Sequence, residues 1–121
     1  MPRNSSDSTN VGSRSNDPTV LILTSLASEP RHGYALLQDI ADFAGVRLGP
    51  GTLYGAISRL EARGLIEATG AAGRRRPYRI TPAGTEMLRA AIAELRTIVD
   101  AGTARLGAMP ASGAALAGGA A

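Results

Sequence analysis

Apolar residues along the chain fall into four stretches with helical period and two short extended ones, separated by breaks marked with glycine or proline. The first stretch, TVLILTSLAS, follows Asp17 and Pro18, an N-cap residue and a proline suited to the first helical position. Val20, Leu23 and Ala27, flanked by Leu21, Ile22 and Leu26, are apolar on most sides, which predicts a largely buried helix. It should end at Glu29, because Pro30 disfavours helical geometry in the residue before it. In the second stretch, RHGYALLQDIADFAG, Leu36, Leu37, Ile40, Ala41 and Ala44 line one face of an amphipathic helix that Gly45 closes. After a short break, Leu53, Ile57 and Leu60, with Ala56 beside them, form the apolar stripe of a third helix. Gly49 serves as its N-cap, Pro50 opens it, and Gly64 suits the left-handed position past its end, for a length of about four turns. Leu65 to Ala68 and Pro77 to Ile80 read as short strands, and the loop TGAAGRRR joins them into a hairpin. Thr81 and Pro82 open a last helix running to roughly Ala101. Its Leu88, Ile92, Leu95 and Val99 are spaced as a heptad seam, which Leu106 extends if Gly102 does not stop the helix.

Two helices separated by a short turn and followed by a hairpin predict a mainly α fold with a small β-hairpin: a winged helix-turn-helix spanning residues 17–80. The seam of the last helix wants a partner, either the first helix of its own chain, another copy, or both. Residues 81–106 are accordingly expected to be a dimerisation helix. Residues 1–16 are rich in Ser, Asn, Asp, Gly and Thr and predict a disordered arm, while residues 107–121 predict a disordered Ala/Gly tail. No apolar run approaches the roughly 20 residues that span a bilayer and no secretory leader is visible, so the expectation is a soluble, cytoplasmic protein.

Charge changes the picture through its distribution. The chain carries 13 basic and 10 acidic residues, a net charge of +3, which by itself says little. Between Arg47 and Arg79, however, stand seven arginines against Glu61 and Glu67, so positive charge gathers around the third helix and the hairpin. Every cation apart from His32 is an arginine, which suits bidentate contacts to phosphate and guanine but is equally the mark of a GC-rich genome.

Off its apolar stripe the third helix presents Thr52, Tyr54, Ser58, Arg59 and Arg63, hydroxyls and guanidinium groups of the kind that meet phosphates and base edges. The bland alternative is a solvated helix whose arginines touch nothing. At the start of the second helix, the Tyr34 hydroxyl and nearby backbone N–H groups could meet a DNA phosphate. Equally, Gly33 could permit a tight turn while Tyr34 packs on the next helix. Arg74, Arg75 and Arg76 load the hairpin tip, the arrangement of a DNA-contacting wing rather than of an idle loop when it directly follows a helix-turn-helix. Double-stranded DNA is the expected partner, together with a second copy of the chain. An enzyme is not expected: there is no cysteine, and His32, the single histidine, has no identifiable triad. Asp39, Asp42, Glu61 and Glu67 read as solvated helix and strand faces. Neither a metal site nor a cofactor is expected. The competing class is a winged-helix module that grips protein instead of DNA, which the fold alone permits.

With these residues placed, the chain resembles the PadR-like transcriptional regulators. The resemblance is carried by HGYALLQDI (His32 to Ile40), LGPGTLYGAISRLEARGLIE (Leu48 to Glu67), RRRPYRIT (Arg74 to Thr81) and TPAG (Thr81 to Gly84), in family order, and covers Pro18 to about Leu106. It implies a bacterial repressor that binds a palindromic operator as a homodimer, joined through the last helix. It also implies that Tyr34, Thr52, Tyr54 and the wing arginines lie at the DNA. Gly55 departs from the proline, and Gly49 from the hydroxyl or amide cap, that are commoner in the family. The single helix after the wing resembles the shorter class. Some relatives stack flat aromatic effectors between subunits; here there is no Trp, and beyond the tyrosines only Phe43 is aromatic, so a small-molecule effector stays unidentified.

Overall fold

A computed structural model describes residues 17–70 and 76–110. The expected N-terminal arm, Arg74 and Arg75 of the hairpin tip, and the stretch beyond residue 110 lie outside the described residues. Helix α1 spans Pro18–Ser28, α2 Gly33–Ala44 and α3 Pro50–Ala62; strands β1 (Ile66–Ala68) and β2 (Tyr78–Ile80) follow, and α4 runs from Pro82 to Gly107. The described residues fall into two units, one up to Ala91 and one from Ile92.

Helix boundaries follow local chemistry. Asp17 accepts a hydrogen bond from the Thr19 N–H at 2.9 Å, with Pro18 in the first turn, and α1 stops where Glu29 turns extended before Pro30. Helix α2 ends at Gly45, φ 68°, whose N–H donates to the Ala41 carbonyl. The end of α3 is a Schellman turn: Gly64, φ 74°, donates to the Glu61 carbonyl, Leu65 donates to that of Leu60, and Leu60 and Leu65 are both buried.

Helix α1 is the central element, packed against α2, α3 and β2, and Leu21, Ile22, Leu23 and Leu26 are all buried. Leu36 and Ile40 of α2, the stripe Leu53, Ala56, Ile57 and Leu60 of α3, and Ile66 of β1 close the same core. Each such aliphatic side chain contributes about 1.5–3 kcal/mol by leaving water.

The strands pair antiparallel with Ile66 opposite Ile80, Glu67 opposite Arg79 and Ala68 opposite Tyr78. Each begins one residue later than the pattern predicts. One connection was not anticipated: Arg31, between α1 and α2, forms an isolated bridge with Tyr78, donating to its carbonyl at 3.0 Å and accepting from its N–H at 2.8 Å. The hairpin is thereby fastened to the turn that precedes α2.

Helix α4 starts where expected. Thr81 Oγ1 accepts from the Gly84 N–H and donates to the Gly64 carbonyl, so the cap also ties α4 to the end of α3. It does not stop near Ala101 but continues through Gly102 to Gly107. A glycine in a helix interior costs about 1 kcal/mol against alanine, too little to end a helix of this length. No helix among the described residues is long and apolar enough to cross a membrane.

Candidate nucleic-acid interface

Burying Leu53, Ala56, Ile57 and Leu60 fixes the rotation of α3, and Thr52, Tyr54, Ser58 and Arg59 are exposed as a result. The expected outer face is therefore an outer face. Gly49 offers no side-chain cap and Pro50 has no N–H, so the first turn of α3 presents uncapped backbone together with the Thr52 hydroxyl. Arg59, in the last turn, also suits the negative end of the helix dipole, so its position alone does not establish a ligand contact. Arg47, Arg59 and Arg63 are exposed and make no ion pair among the described residues.

Tyr34 is 64% exposed, so its ring stays largely in solvent instead of being packed away against the next helix. Its hydroxyl accepts from Gln38 Nε2 at 3.2 Å, one turn along α2, which leaves its own O–H available to donate. The packing runs the other way: Tyr54 of α3 lies over Gly33, at the first residue of α2. Gly33 makes no left-handed turn, since the positive-φ glycines among the described residues are Gly45, Gly64 and Gly70. Two phenols thus reach the surface from the N-terminal halves of α2 and α3.

In the hairpin, Arg76 is exposed just before β2, whereas Arg74 and Arg75 lie outside the described residues. Arg79 is paired within the hairpin: its Nε donates to Glu67 Oε2 at 2.7 Å across the strands, with both side chains exposed. Glu67 stands on an exposed strand face, as expected, and is half of a cross-strand pair.

Asp39 departs from the solvated reading. Its Oδ2 accepts from Ser25 Oγ at 2.7 Å and lies 3.7 Å from the Arg31 guanidinium, which also reaches Ser28 Oγ, the Ser25 carbonyl and Glu29. Ser25 is 1% exposed, the single buried polar side chain among the described residues, and this network satisfies it. Nothing in the local pattern marks Arg31 as the hub, because Ser25 and Asp39 meet it only once α1 and α2 are packed.

The expected dimerisation residues divide. Leu88 is buried in the core of its own chain, Leu95 is partly buried, and Ile92 and Val99 are exposed, as are Ile98 and Leu106 on the same helix. No group of acidic, histidine or cysteine residues among the described residues could hold a metal ion.

The family model described as "Transcriptional regulator PadR-like family" matches residues 22–90. Over 75 residues, 62% of its length, the chain is 51% identical to an uncharacterized 37.1 kDa protein in a transposon of Streptomyces fradiae, of which it spans only 22%. A transcriptional regulator of Mycobacterium tuberculosis is 44% identical over 82 residues, covering 65% of this chain and 72% of that one. Among solved structures, a PadR family transcriptional regulator from Eggerthella lenta superposes with a TM-score of 0.67 at 31% identity, over 88% of this chain and 96% of that one.

Proposed function

The chain belongs to the PadR-like family of transcriptional regulators, and from that premise we propose that it binds double-stranded DNA as a homodimer and represses transcription from a palindromic operator. The observation that carries the proposal is the two-sidedness of α3: a buried apolar stripe, and an outer face of Thr52, Tyr54, Ser58 and Arg59 with Tyr34 contributed by α2. A helix held this way can lie in a major groove, where hydroxyl and guanidinium groups reach base edges and the adjoining phosphates. Arg74, Arg75 and Arg76 then meet the flanking backbone or a minor groove.

Dimerisation is supported by the apolar side chains Ile92, Val99 and Leu106, which stay exposed in the single chain. Two copies related by a two-fold axis would read the two halves of a palindrome. Repression is the sign proposed because a protein seated on promoter DNA excludes polymerase without needing further contacts. The action is proposed to be cytoplasmic, where bacterial DNA lies. The chain's aromatic residues do not identify an effector.

Selection of bound duplexes from a random pool tests the reading. An enriched palindrome is expected. A pool that stays unenriched over successive rounds would return the winged helix to the role of a protein-binding module.

A further inference from the structure

We infer that Gly33 is a positioning residue for Tyr54: by lacking a side chain it lets the phenol lie on the first turn of α2, and this fixes the part of α3's outer face that meets DNA. The inference rests on the DNA-binding reading above.

Glycine is not required at position 33 by the backbone. The residue begins a helix and its φ is not left-handed, so alanine, the better helix former, would fit the conformation. What excludes a side chain is space. A methyl group on Gly33 would lie 2.6 Å from Tyr54 Cζ and 2.9 Å from Cε1, and against the hydroxyl oxygen as well. Non-bonded carbons settle at about 3.5–4.0 Å. The three nearest atoms all belong to the far end of one flexible side chain, which can move aside.

The hydroxyl end of the ring is the part that lies against Gly33, and Tyr54 as a whole is still 49% exposed. The next residue after Gly33 is Tyr34, whose O–H is also available. A phenol clamped in this way presents its hydroxyl at a fixed place, so no rotamer freedom is lost when DNA binds. With a methyl at position 33 the ring must swing off α2. The fold keeps its core, and the hydroxyl loses its place.

The test is a double-mutant cycle in the 121-residue chain, using a duplex recovered from a random pool by the unmutated protein. Gly33→Ala should melt at the same temperature or higher, yet bind that duplex roughly tenfold more weakly, the scale of one lost or disordered hydrogen bond to a charged group. Tyr54→Ala should weaken binding at least as much, and adding Gly33→Ala to it should change nothing further, because the two act through one contact. Without DNA, nuclear Overhauser contacts between the Tyr54 ring and the Gly33 α-protons are expected, and in Gly33→Ala the ring should lose its contacts with the first turn of α2.

Unweakened binding by Gly33→Ala, additive effects, or absent Tyr54–Gly33 contacts in the free protein would each overturn the positioning role while the DNA reading stands. A lowered melting temperature that persists in the Tyr54→Ala background would also overturn it, since Gly33 would then serve the backbone and not the phenol. Failure of the unmutated protein to recover any duplex would overturn the DNA reading and the inference together.

Discussion

Two buried glycines, Gly33 and Gly84, look alike along the chain and are confined by different neighbours. A side chain on Gly84 would meet the Leu65 carbonyl, with Ile80 Cγ1 at 2.9 Å, and a backbone carbonyl cannot swing aside as a phenol can. Gly84→Ala is therefore expected to destabilise the protein by about 1–3 kcal/mol, the usual cost of overpacking, read as a shift of the urea midpoint. An unchanged midpoint would mean that α4 is not held against Leu65. Arg59 is the residue of the outer face best equipped for a bidentate base contact. Arg59→Ala should lower the ratio of specific to random binding by about 1–3 kcal/mol per half-site, measured by anisotropy; an unaltered ratio would return Arg59 to its helix-dipole role. At this scale the sequence is legible for side chains whose position depends on one helix's period, such as Leu53, Ile57, Thr52 and Arg59. It is not legible for Asp39 or Arg79, whose partners, Ser25, Arg31 and Glu67, are brought near by tertiary packing or strand register.

Elements are more legible than residues because their boundaries are written in short-range chemistry. Asp17–Pro18, Gly45, Gly49–Pro50 and Gly64 each mark an end that the structure keeps. The end of α4 is the exception: Gly102 resembles a stop, but a glycine ends a helix only when the chain turns left-handed there, and it does not. The hairpin shows a second limit. Its register pairs Glu67 with Arg79, a partnership between strands that charge counted along the chain does not reveal. Arg74, Arg75 and Arg76 remain the candidates for phosphate. Replacing all three by alanine should flatten the slope of log K against log salt by up to roughly three per wing, at about 0.9 per phosphate contact. Affinity should fall for cognate and random DNA alike, unless a wing arginine enters a narrow A·T-rich minor groove. A slope unaltered on every DNA tested would make the tip a solvated loop.

At the scale of the molecule, the proposed homodimer gives α4 two tasks. Leu88 joins the core of its own chain, while Ile92, Val99 and Leu106 are exposed and would line the seam with a second copy. Leu95→Asp would put a carboxylate into that seam, and burying it charged costs several kcal/mol, roughly enough to separate two subunits. The variant should sediment as a folded monomer; a folded variant that stays fully dimeric would remove Leu95 from the interface. The heptad spacing was legible, but which of its members serve the chain's own core was not, because that depends on where β1, β2 and the end of α3 come to lie. The bridge between Arg31 and Tyr78 shows the same dependence on distant chain. It also gives the attachment of the wing a clock. Each residue's amide proton is held by the other's carbonyl, so neither can exchange with solvent until the hairpin parts from the turn before α2. Corrected for their different intrinsic rates, the two amides should show one common protection, and any treatment that loosens the wing should lower it for both together. If Arg31 exchanges while Tyr78 stays protected, the two hydrogen bonds open separately and the hairpin is not released as a unit.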